Sequence, residues 1–303
     1  MYDPNRTYRM LVLWLDDVLL DGQGRLPQRD VDLIHAALAR GQYVVLSSTR
    51  VMWEIMDFIT PQTLGCLPYA ILSYGTEVYD FRTSQVRQRH YLPSTMVRKV
   101  LEVTTGRDVI IHAVKRSVFN GSSADLEPAR MARFHLDSKQ RVFNYIVSRD
   151  EDLRQFLAKN LDEIERLVVY HTSFEECQDS YQRLSEWPLS LAYHHATGLQ
   201  VMPFGVSKAR GIGNICWDLG ISMDDVMAIA SSNYDEDTCK SVGCAVAMGN
   251  APQSVQDWCD LIVADNDRDG AGDAIERYFL ASEPVGPAVG VSDAPPTAAD
   301  DEI

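Results

Sequence analysis

The sequence predicts an α/β fold, with a doubly wound parallel sheet and an inserted α+β domain. Strand-like and helix-like segments alternate over the first 80 or so residues, and this alternation resumes after about residue 200. The segment between them mixes strands and helices without that order. The chain has 303 residues, 46% of them hydrophobic, so it can bury one large core or two modest ones.

The first half of the predicted sheet begins with a continuous apolar run, Met10 to Leu15. Such a run is typical of a strand buried on both faces of a parallel sheet. Pro27 then begins an amphipathic helix that ends at Gly41. Further buried strands follow at Tyr43 to Leu46 and at Tyr69 to Ser73, with a second helix between them. This strand–helix–strand order predicts right-handed crossovers in a doubly wound sheet.

The second half of the sheet is predicted after residue 200. Ser207 to Leu219 has the apolar spacing of a helix, and Gly270 to Leu280 fits another. Three apolar runs predict strands, at Val226 to Ala230, Ala245 to Met248 and Leu261 to Ala264. They would extend the same sheet.

These patterns predict the domain organisation. Residues 1–81 and 201–281 form the core domain, and residues 82–200 form the inserted α+β domain, in which strand-like pieces mix with helices such as Arg149 to Asn160. Residues 282–303 are rich in Ala, Pro and acidic residues, and we expect them to be a disordered acidic tail.

Composition narrows the possible environments and partners. A net charge of −15 and a pI near 4.8 argue against general affinity for nucleic acid or anionic membranes. The N-terminus lacks a secretory signal, and the run from Met10 to Leu15 is too short to span a bilayer. Six cysteines without a C-x-x-C pair favour reduced thiols. We therefore expect a cytoplasmic protein.

Candidate functional residues follow the predicted strands. In an open α/β sheet, chemistry takes place at the carboxyl ends of the strands. Three strand ends carry polar residues, and a lysine begins the helix before the third: Asp16 and Asp17, Ser48 and Arg50, Asp235, and Lys208. Acids, a hydroxyl and a lysine together would suit phosphoryl transfer. Each residue alone also fits a helix cap, a solvated turn or an ion pair.

Six sequence segments stand in a specific order and at specific spacings along the chain. They are Leu13 to Leu20 (LWLDDVLL), Val44 to Arg50 (VVLSSTR), Ser73 to Asp80 (SYGTEVYD), Gly205 to Lys208 (GVSK), Val226 to Cys239, and Ala247 to Ala251 (AMGNA). Together they resemble the motifs of the Cof-type branch of the haloacid dehalogenase-like superfamily, which includes sugar-phosphate phosphatases. The resemblance extends to about Leu280. It implies the core of a phosphatase, with the insertion as an α/β cap.

The resemblance also implies that catalytic positions have changed. Trp14 stands where the family has its nucleophilic aspartate, and Ser231 where it has a metal-binding aspartate. An indole has no oxyanion, so covalent phosphoryl transfer through Trp14 is impossible. Asp16 matches the family's general acid/base, Lys208 its lysine and Asp235 its second metal-binding acid. These three are the candidate catalytic residues.

Ligand and metal binding are expected at the same motifs. Asp17 stands at a glycine of the family, where its carboxylate would repel a phosphate dianion. Ser48 keeps a hydroxyl, and with Asp17, Arg50, Lys208 and Asn250 it forms the candidate ligand-binding set. Magnesium requires hard oxygen ligands in near-octahedral geometry. Only Asp16 and Asp235 remain as carboxylate ligands, so we expect no cofactor, and Mg²⁺ only if this degraded site still binds metal.

Two functions remain open from the sequence. The favoured one is a pseudophosphatase that binds a small phosphorylated metabolite or a protein partner. The alternative is a hydrolase with residual or repurposed phosphatase activity on a metabolite such as a sugar phosphate, with Asp16 as base and Lys208 holding the phosphate. The same residues allow structural roles: a Lys208–Asp235 ion pair, Arg50 facing solvent or Asp80, and Trp14 filling the phosphate pocket. The sequence does not predict the oligomeric state.

Overall fold

A computed structural model describes residues 2–139, 143, 147–150, 152–194 and 197–281. The chain divides into two compact units. Of the described residues, the core unit contains those up to Arg50, Ile55–Gln88, and those from Ser207 onward. The inserted unit contains Val51–Glu54 and Arg89–Val206. The predicted tail, residues 282–303, lies outside the described residues.

The strands and helices are numbered here in chain order. The strands are β1 (Met10–Trp14), β2 (Tyr43–Ser47), β3 (Tyr69–Leu72), β4 (Glu77–Asp80), β5 (Gln85–Arg89), β6 (Ile110–Lys115), β7 (Val118–Ser122), β8 (Val147–Asp150), β9 (Arg166–Tyr170), β10 (Leu189–His194), β11 (Gly198–Pro203), β12 (Val226–Ala230), β13 (Cys244–Ala247) and β14 (Leu261–Ile262). The α-helices are α1 (Gln28–Ala39), α2 (Met52–Ile55), α3 (Ser94–Val103), α4 (Pro128–Arg133), α5 (Leu153–Lys159), α6 (Phe174–Ser185), α7 (Lys208–Leu219), α8 (Glu236–Ser241), α9 (Gln253–Trp258) and α10 (Gly270–Ala274).

The core unit contains an eight-stranded sheet in the order β14-β13-β12-β1-β2-β3-β4-β5. The strands from β14 to β3 are parallel, and β4 pairs antiparallel with β3. Every residue of β1 is buried, because this strand lies in the middle of the sheet. In the sheet, β2 and β3 lie on one side of β1, and the later strands β12, β13 and β14 lie on the other side of it. This reversal of strand order places the ends of β1, β2 and β12 next to one another.

The inserted unit contains a six-stranded sheet in the order β10-β11-β9-β6-β7-β8. Successive residues of β9 pack into different apolar clusters, because strand side chains alternate between the two faces. Leu167 and Val169 join the side chains of α3, α5 and α6, whereas Val168 and Tyr170 join residues from the α4 region. The predicted α/β fold with an inserted α+β segment is confirmed.

Some predicted element limits were wrong. Arg149 and Asp150, predicted to begin a helix that ends at Asn160, lie in β8. The helix itself is the shorter α5, whose start is set by Asp152, because the Asp152 carboxylate accepts hydrogen bonds from the backbone N–H groups of Arg154 and Gln155. The last predicted strand ends at Ile262 rather than Ala264. The helix predicted up to Leu280 changes at Ile275 from α to a wider π turn that ends at Phe279.

The sequence also predicts reduced cysteines and no membrane-spanning segment. All six cysteines are free, four of them buried and two partly exposed. The helices within the described ranges are all too short or too polar to cross a membrane.

Candidate active site

The site begins at the end of β1. Trp14 is the last residue of β1 and pairs in register with Ser47 of β2. The chain then turns through Leu15–Leu19, and Asp17 adopts a left-handed backbone conformation with φ of 59°. Glycine adopts this conformation without strain, and aspartate tolerates it better than most residues. The structure therefore gives a backbone reason for the glycine that the resembling motif has at position 17.

The start of α7 is held from two sides. Ser207 caps this helix, because its hydroxyl accepts a hydrogen bond from the Arg210 backbone N–H at 3.2 Å. The turn after β3 packs closely on the same place. A Cβ atom at Gly75 would lie 2.5 Å from the Ser207 carbonyl oxygen and 3.0 Å from the Lys208 nitrogen. Lys208, the first residue of α7, is therefore fixed at the edge of the sheet.

Lys208 forms a buried ion pair with Asp235. Its Nζ lies 2.8 Å from Asp235 Oδ1, and the side chains are 2% and 0% exposed. The other Asp235 oxygen, Oδ2, accepts hydrogen bonds from the backbone N–H groups of Ser231 and Ser232 and from the Ser232 hydroxyl, at 3.3, 3.0 and 2.9 Å. The two oxygens of this carboxylate thus have four donors between them.

Trp14 covers this ion pair. The Lys208 ammonium lies 5.0 Å from the centre of the indole ring, within the range of a cation–π interaction. Trp14 is only 4% exposed, and its Nε1–H has no hydrogen-bond partner within the described residues. The indole thus packs beside the one lysine that the sequence assigned to a phosphate.

Asp16 and Arg50 form a second ion pair, which is partly exposed. Arg50 Nε and Nη2 donate to the two oxygens of Asp16 at 3.0 and 2.5 Å, which is a bidentate fork. The Ser48 hydroxyl accepts a hydrogen bond from the Arg50 backbone N–H at 3.1 Å. Asp80, the partner considered for Arg50 from the sequence, binds Arg82 and Arg87.

Asp17 and Asn250 meet at the turn after β1. The Asn250 side-chain amide donates to the Asp17 carbonyl oxygen at 3.0 Å, and its oxygen accepts from the Asn266 backbone N–H at 3.2 Å. Asn250 therefore holds the backbone of this turn. Loss of solvation, with the adjacent Asp16 carboxylate, raises the pKa of Asp17 above its ordinary value.

Two tyrosines at the site were missed in the sequence. Tyr74, buried in the turn after β3, contacts Tyr234 edge to face, with ring centres 5.5 Å apart. Both stand where the resembling motifs, S-N-G and D-S-x-N-D, have asparagine, and this replacement was the signal that could have revealed them. With Trp14, three positions at this edge of the sheet now carry aromatic rings.

These residues do not fit a magnesium site. Asp16 is engaged by Arg50, and Asp235 by Lys208 and three further donors. Trp14 provides no oxygen ligand. In the part of the chain that the structure describes, no three Asp, Glu, His or Cys side chains are grouped as a metal ion would require.

Comparison with known proteins identifies the family. The sequence profile of the haloacid dehalogenase-like hydrolases matches residues 11–275. The chain belongs to this family. The Cof-type assignment made from the six motifs is therefore confirmed.

Relatives of this haloacid dehalogenase-like protein carry phosphatase names. A 5-amino-6-(5-phospho-D-ribitylamino)uracil phosphatase of Bacillus subtilis (strain 168) is 22% identical over 277 residues, which are 90% of this chain and 96% of that protein. An HMP-PP phosphatase of Serratia proteamaculans (strain 568) is 24% identical over 254 residues, 80% of this chain and 85% of that one.

Solved structures share the fold. A haloacid dehalogenase-like hydrolase from Bacteroides thetaiotaomicron superposes with a TM-score of 0.76 at 21% identity, covering 90% of this chain and all (100%) of that one. A sugar phosphatase of haloacid dehalogenase subclass IIB gives a TM-score of 0.70 at 17% identity, covering 90% and 99%. At these identities the likeness shows the fold alone.

Proposed function

We propose that this haloacid dehalogenase-like protein is a pseudophosphatase, which keeps the phosphatase fold but acts by binding a small phosphorylated metabolite or a protein partner in the cytoplasm. The observation that carries the proposal is the position of Trp14, whose buried ring lies against Lys208 at the end of the central strand.

Trp14 cannot serve as the nucleophile of a phosphatase. Attack on phosphorus requires an oxygen, nitrogen or sulfur atom with an available electron pair. The indole of Trp14 has only a donor N–H, so it cannot form a phosphoenzyme. Removing a nucleophile lowers turnover by about a millionfold in an enzyme that depends on one.

The paired charges at this edge of the sheet oppose phosphate binding. A phosphate dianion needs a positive site, and the Lys208 ammonium is already neutralised by Asp235 and covered by the indole. Asp16 and Arg50 likewise neutralise each other. A dianion entering this edge would have to displace a carboxylate from its own cation, which lowers the affinity for phosphate.

The same ion pairs oppose the binding of Mg²⁺. Arg50 and Lys208 already bind Asp16 and Asp235 and would compete with Mg²⁺ for their oxygens, and positions 14 and 231 supply no carboxylates. Function resides in sites rather than in folds. The catalytic edge supports a role that needs neither magnesium nor covalent chemistry.

The alternative, residual phosphatase activity, is favoured by one observation. Asp16 is 40% exposed, so water can reach a carboxylate that would serve as a base. This activity would proceed by direct attack of water and would depend on Asp16.

An assay of phosphatase turnover separates the two functions. We expect the purified protein to hydrolyse p-nitrophenyl phosphate and common sugar phosphates no faster than a buffer blank, with or without Mg²⁺. A phosphatase of the same fold, assayed in parallel, provides the positive control. Turnover that Asp16→Asn abolishes and Asp32→Asn preserves would reject the pseudophosphatase proposal and support the alternative.

A further inference from the structure

A cavity lies on the core unit, away from the residues of the candidate active site. Its volume is about 370 Å³, at the lower end of the range for ligand pockets. Its walls come from β3, from β4, from β5, which is the edge strand of the sheet, and from the second half of α7. Helix α7 thus carries Lys208 at its first turn and this cavity at its last turns.

Trp217 stands at the rim of the cavity. It is 88% exposed, more than any other large hydrophobic side chain of the described residues. A tryptophan in this position makes few contacts with its own chain. Tryptophan is among the residues that most often dominate the binding energy of protein interfaces, especially where it enters a pocket. The exposed Trp217 side chain can therefore act as the anchor of an interface, and the adjacent cavity can act as the receptor that binds such a side chain.

The charges around the cavity are balanced. Arg87 Nη2 lies 2.6 Å from Asp218 Oδ2, and Arg87 also lies 3.6 Å from the buried carboxylate of Asp80. Arg82 pairs with Asp80 as well. Two cations thus face two acids here, whereas the chain as a whole carries a net charge of −15. The net charge makes two copies of the chain repel each other, and a locally balanced patch does not add to this repulsion.

We propose that this patch, formed by Tyr69, Arg87, Gln88, Asn214, Trp217 and Asp218 and called here the Trp217 patch, is the interface of a symmetric homodimer. The Trp217 of each copy enters the cavity of the other. A two-fold interface requires a self-complementary surface, and an anchor located at the rim of its own receptor meets that requirement. This inference does not depend on the proposed function.

The polar groups of the patch fit the same arrangement. Arg87 and Asp218 are side by side, so each can exchange its partner for the corresponding residue of the second copy. Asn214 donates to the Gln88 side-chain oxygen at 2.7 Å. The Asn214 side-chain oxygen, which is not part of that bond, can accept the indole N–H that an inserted tryptophan must satisfy.

The first test is the mass in solution. Sedimentation velocity over micromolar concentrations should give twice the chain mass of 34.0 kDa for the wild type. Trp217→Ala should raise the dimer dissociation constant more than about tenfold. The matched control is Phe204→Ala, which removes another exposed ring (70%) from the inserted unit and should leave the dimer intact. A monomeric wild type, or a Trp217→Ala variant that dimerises equally well, would overturn the proposal.

The second test uses charge reversal. Arg87→Asp and Asp218→Arg should each be monomeric, because each homodimer would place like charges opposite one another. An equimolar mixture should form a heterodimer, since each copy then meets the opposite charge. A role confined to one chain would not produce this rescue, so a monomeric mixture of folded variants contradicts the proposal. Arg87→Asp also removes an ion pair of the buried Asp80; if it does not fold, the Trp217→Ala comparison decides alone.

Discussion

The Lys208 ammonium lies in surroundings where a charge is stable only because it is paired. Burial of an unpaired ammonium is strongly unfavourable, and the Asp235 carboxylate at 2.8 Å together with the ring of Trp14 at 5.0 Å compensates for lost hydration. Asp235 is in turn satisfied by three donors from residues 231 and 232. Single replacements in such a group leave a buried charge or a cavity, so its members are best tested in pairs.

The first residue-scale prediction restores two carboxylates. Trp14→Asp with Ser231→Asp should destabilise the protein, because truncating a buried large aromatic costs about 3–5 kcal/mol and the new acids crowd Asp235. Millimolar Mg²⁺ should then raise the melting temperature of this variant by binding its native state, and should leave that of the wild type unchanged.

The control for this experiment is Trp14→Asn with Ser231→Asn. It loses the same packing but gains no carboxylate ligands, so Mg²⁺ should not stabilise it. If Mg²⁺ stabilises the wild type as much as the double aspartate variant, the native site already binds metal, and the role assigned to Trp14 is wrong.

Asp30 is another buried carboxylate, and its Oδ1 has no hydrogen-bond partner within the described residues. A Cβ added at Gly272 would lie 2.7 Å from both Asp30 Oδ1 and Asp269 Oδ1, so the two acids lie close together. Arg29 binds Asp269, Asp273 and Glu276. Burial, with the nearby Asp269 carboxylate, raises the pKa of Asp30 to about 7.

The sign of the pH effect follows from this raised pKa. Asp30 ionises near pH 4 in the unfolded chain but only near pH 7 in the folded one, so the free energy of unfolding falls as pH rises through that window. Asp30→Asn should therefore stabilise the protein at pH 8, by on the order of a few kcal/mol, and have little effect at pH 4. Denaturant unfolding at both pH values measures this, with Asp32→Asn, exposed on the same helix, as control. An equal effect at both pH values would contradict the assignment.

At the scale of elements, the turn after β3 fixes the start of α7. Ser73, Tyr74 and Gly75 all have positive φ, and the turn lies so close to Ser207 that position 75 has no room for a side chain. This close approach brings Tyr74 to the candidate active site. The position of Lys208 thus depends on a turn more than 130 residues earlier in the chain.

The element-scale prediction compares two glycines with positive φ, 94° at Gly75 and 74° at Gly24. Gly75→Ala should destabilise the core unit more than Gly24→Ala does. Both replacements force alanine into the left-handed region, at a cost of about 1–2 kcal/mol. Only the Cβ at position 75 also clashes with backbone, whereas nothing lies within 4 Å of a Cβ at Gly24. Urea unfolding of the two variants measures the difference, and equal losses of stability would show that the turn can move away from α7.

At the scale of the whole molecule, the net charge of −15 opposes compactness. Like charges on one chain repel one another, and salt screens this repulsion over a distance of about 10 Å at 0.1 M. The Trp217 patch is one of the places where cations and acids balance locally. The net repulsion is therefore a property of the molecule rather than of any single pair.

The whole-molecule prediction concerns salt. Raising NaCl from low to physiological concentration at pH 8 should raise the melting temperature, because it weakens the repulsion more than the scattered surface ion pairs. Near pH 5, close to the pI of about 4.8, the same addition should have a much smaller effect. Circular dichroism melts at both pH values test this. A lower melting temperature with salt at pH 8 would mean that attractive ion pairs, such as those of Arg29, outweigh the repulsion.

The sequence by itself determined the class of the fold, the order of its motifs and the identity of the residue at the nucleophile position. These follow from local patterns: the buried run of β1 is a property of five adjacent residues, and an indole lacks an oxyanion in any conformation. Element limits were less certain where a single cap decides them, as Asp152 does for α5.

Only the tertiary structure decided which side chains meet. Arg50 and Asp16 lie 34 positions apart, and Lys208 and Asp235 lie 27 apart. From the sequence, the Lys208–Asp235 ion pair was one of the roles left open, whereas Arg50 was expected to face solvent or Asp80. The contact between Tyr74 and Tyr234, and the closeness of Asp30 to Asp269, join still more distant segments. Such pairings depend on which strand ends and helix ends the sheet brings together. A local sequence pattern contains no information about the distance in space between residues that are far apart in the chain.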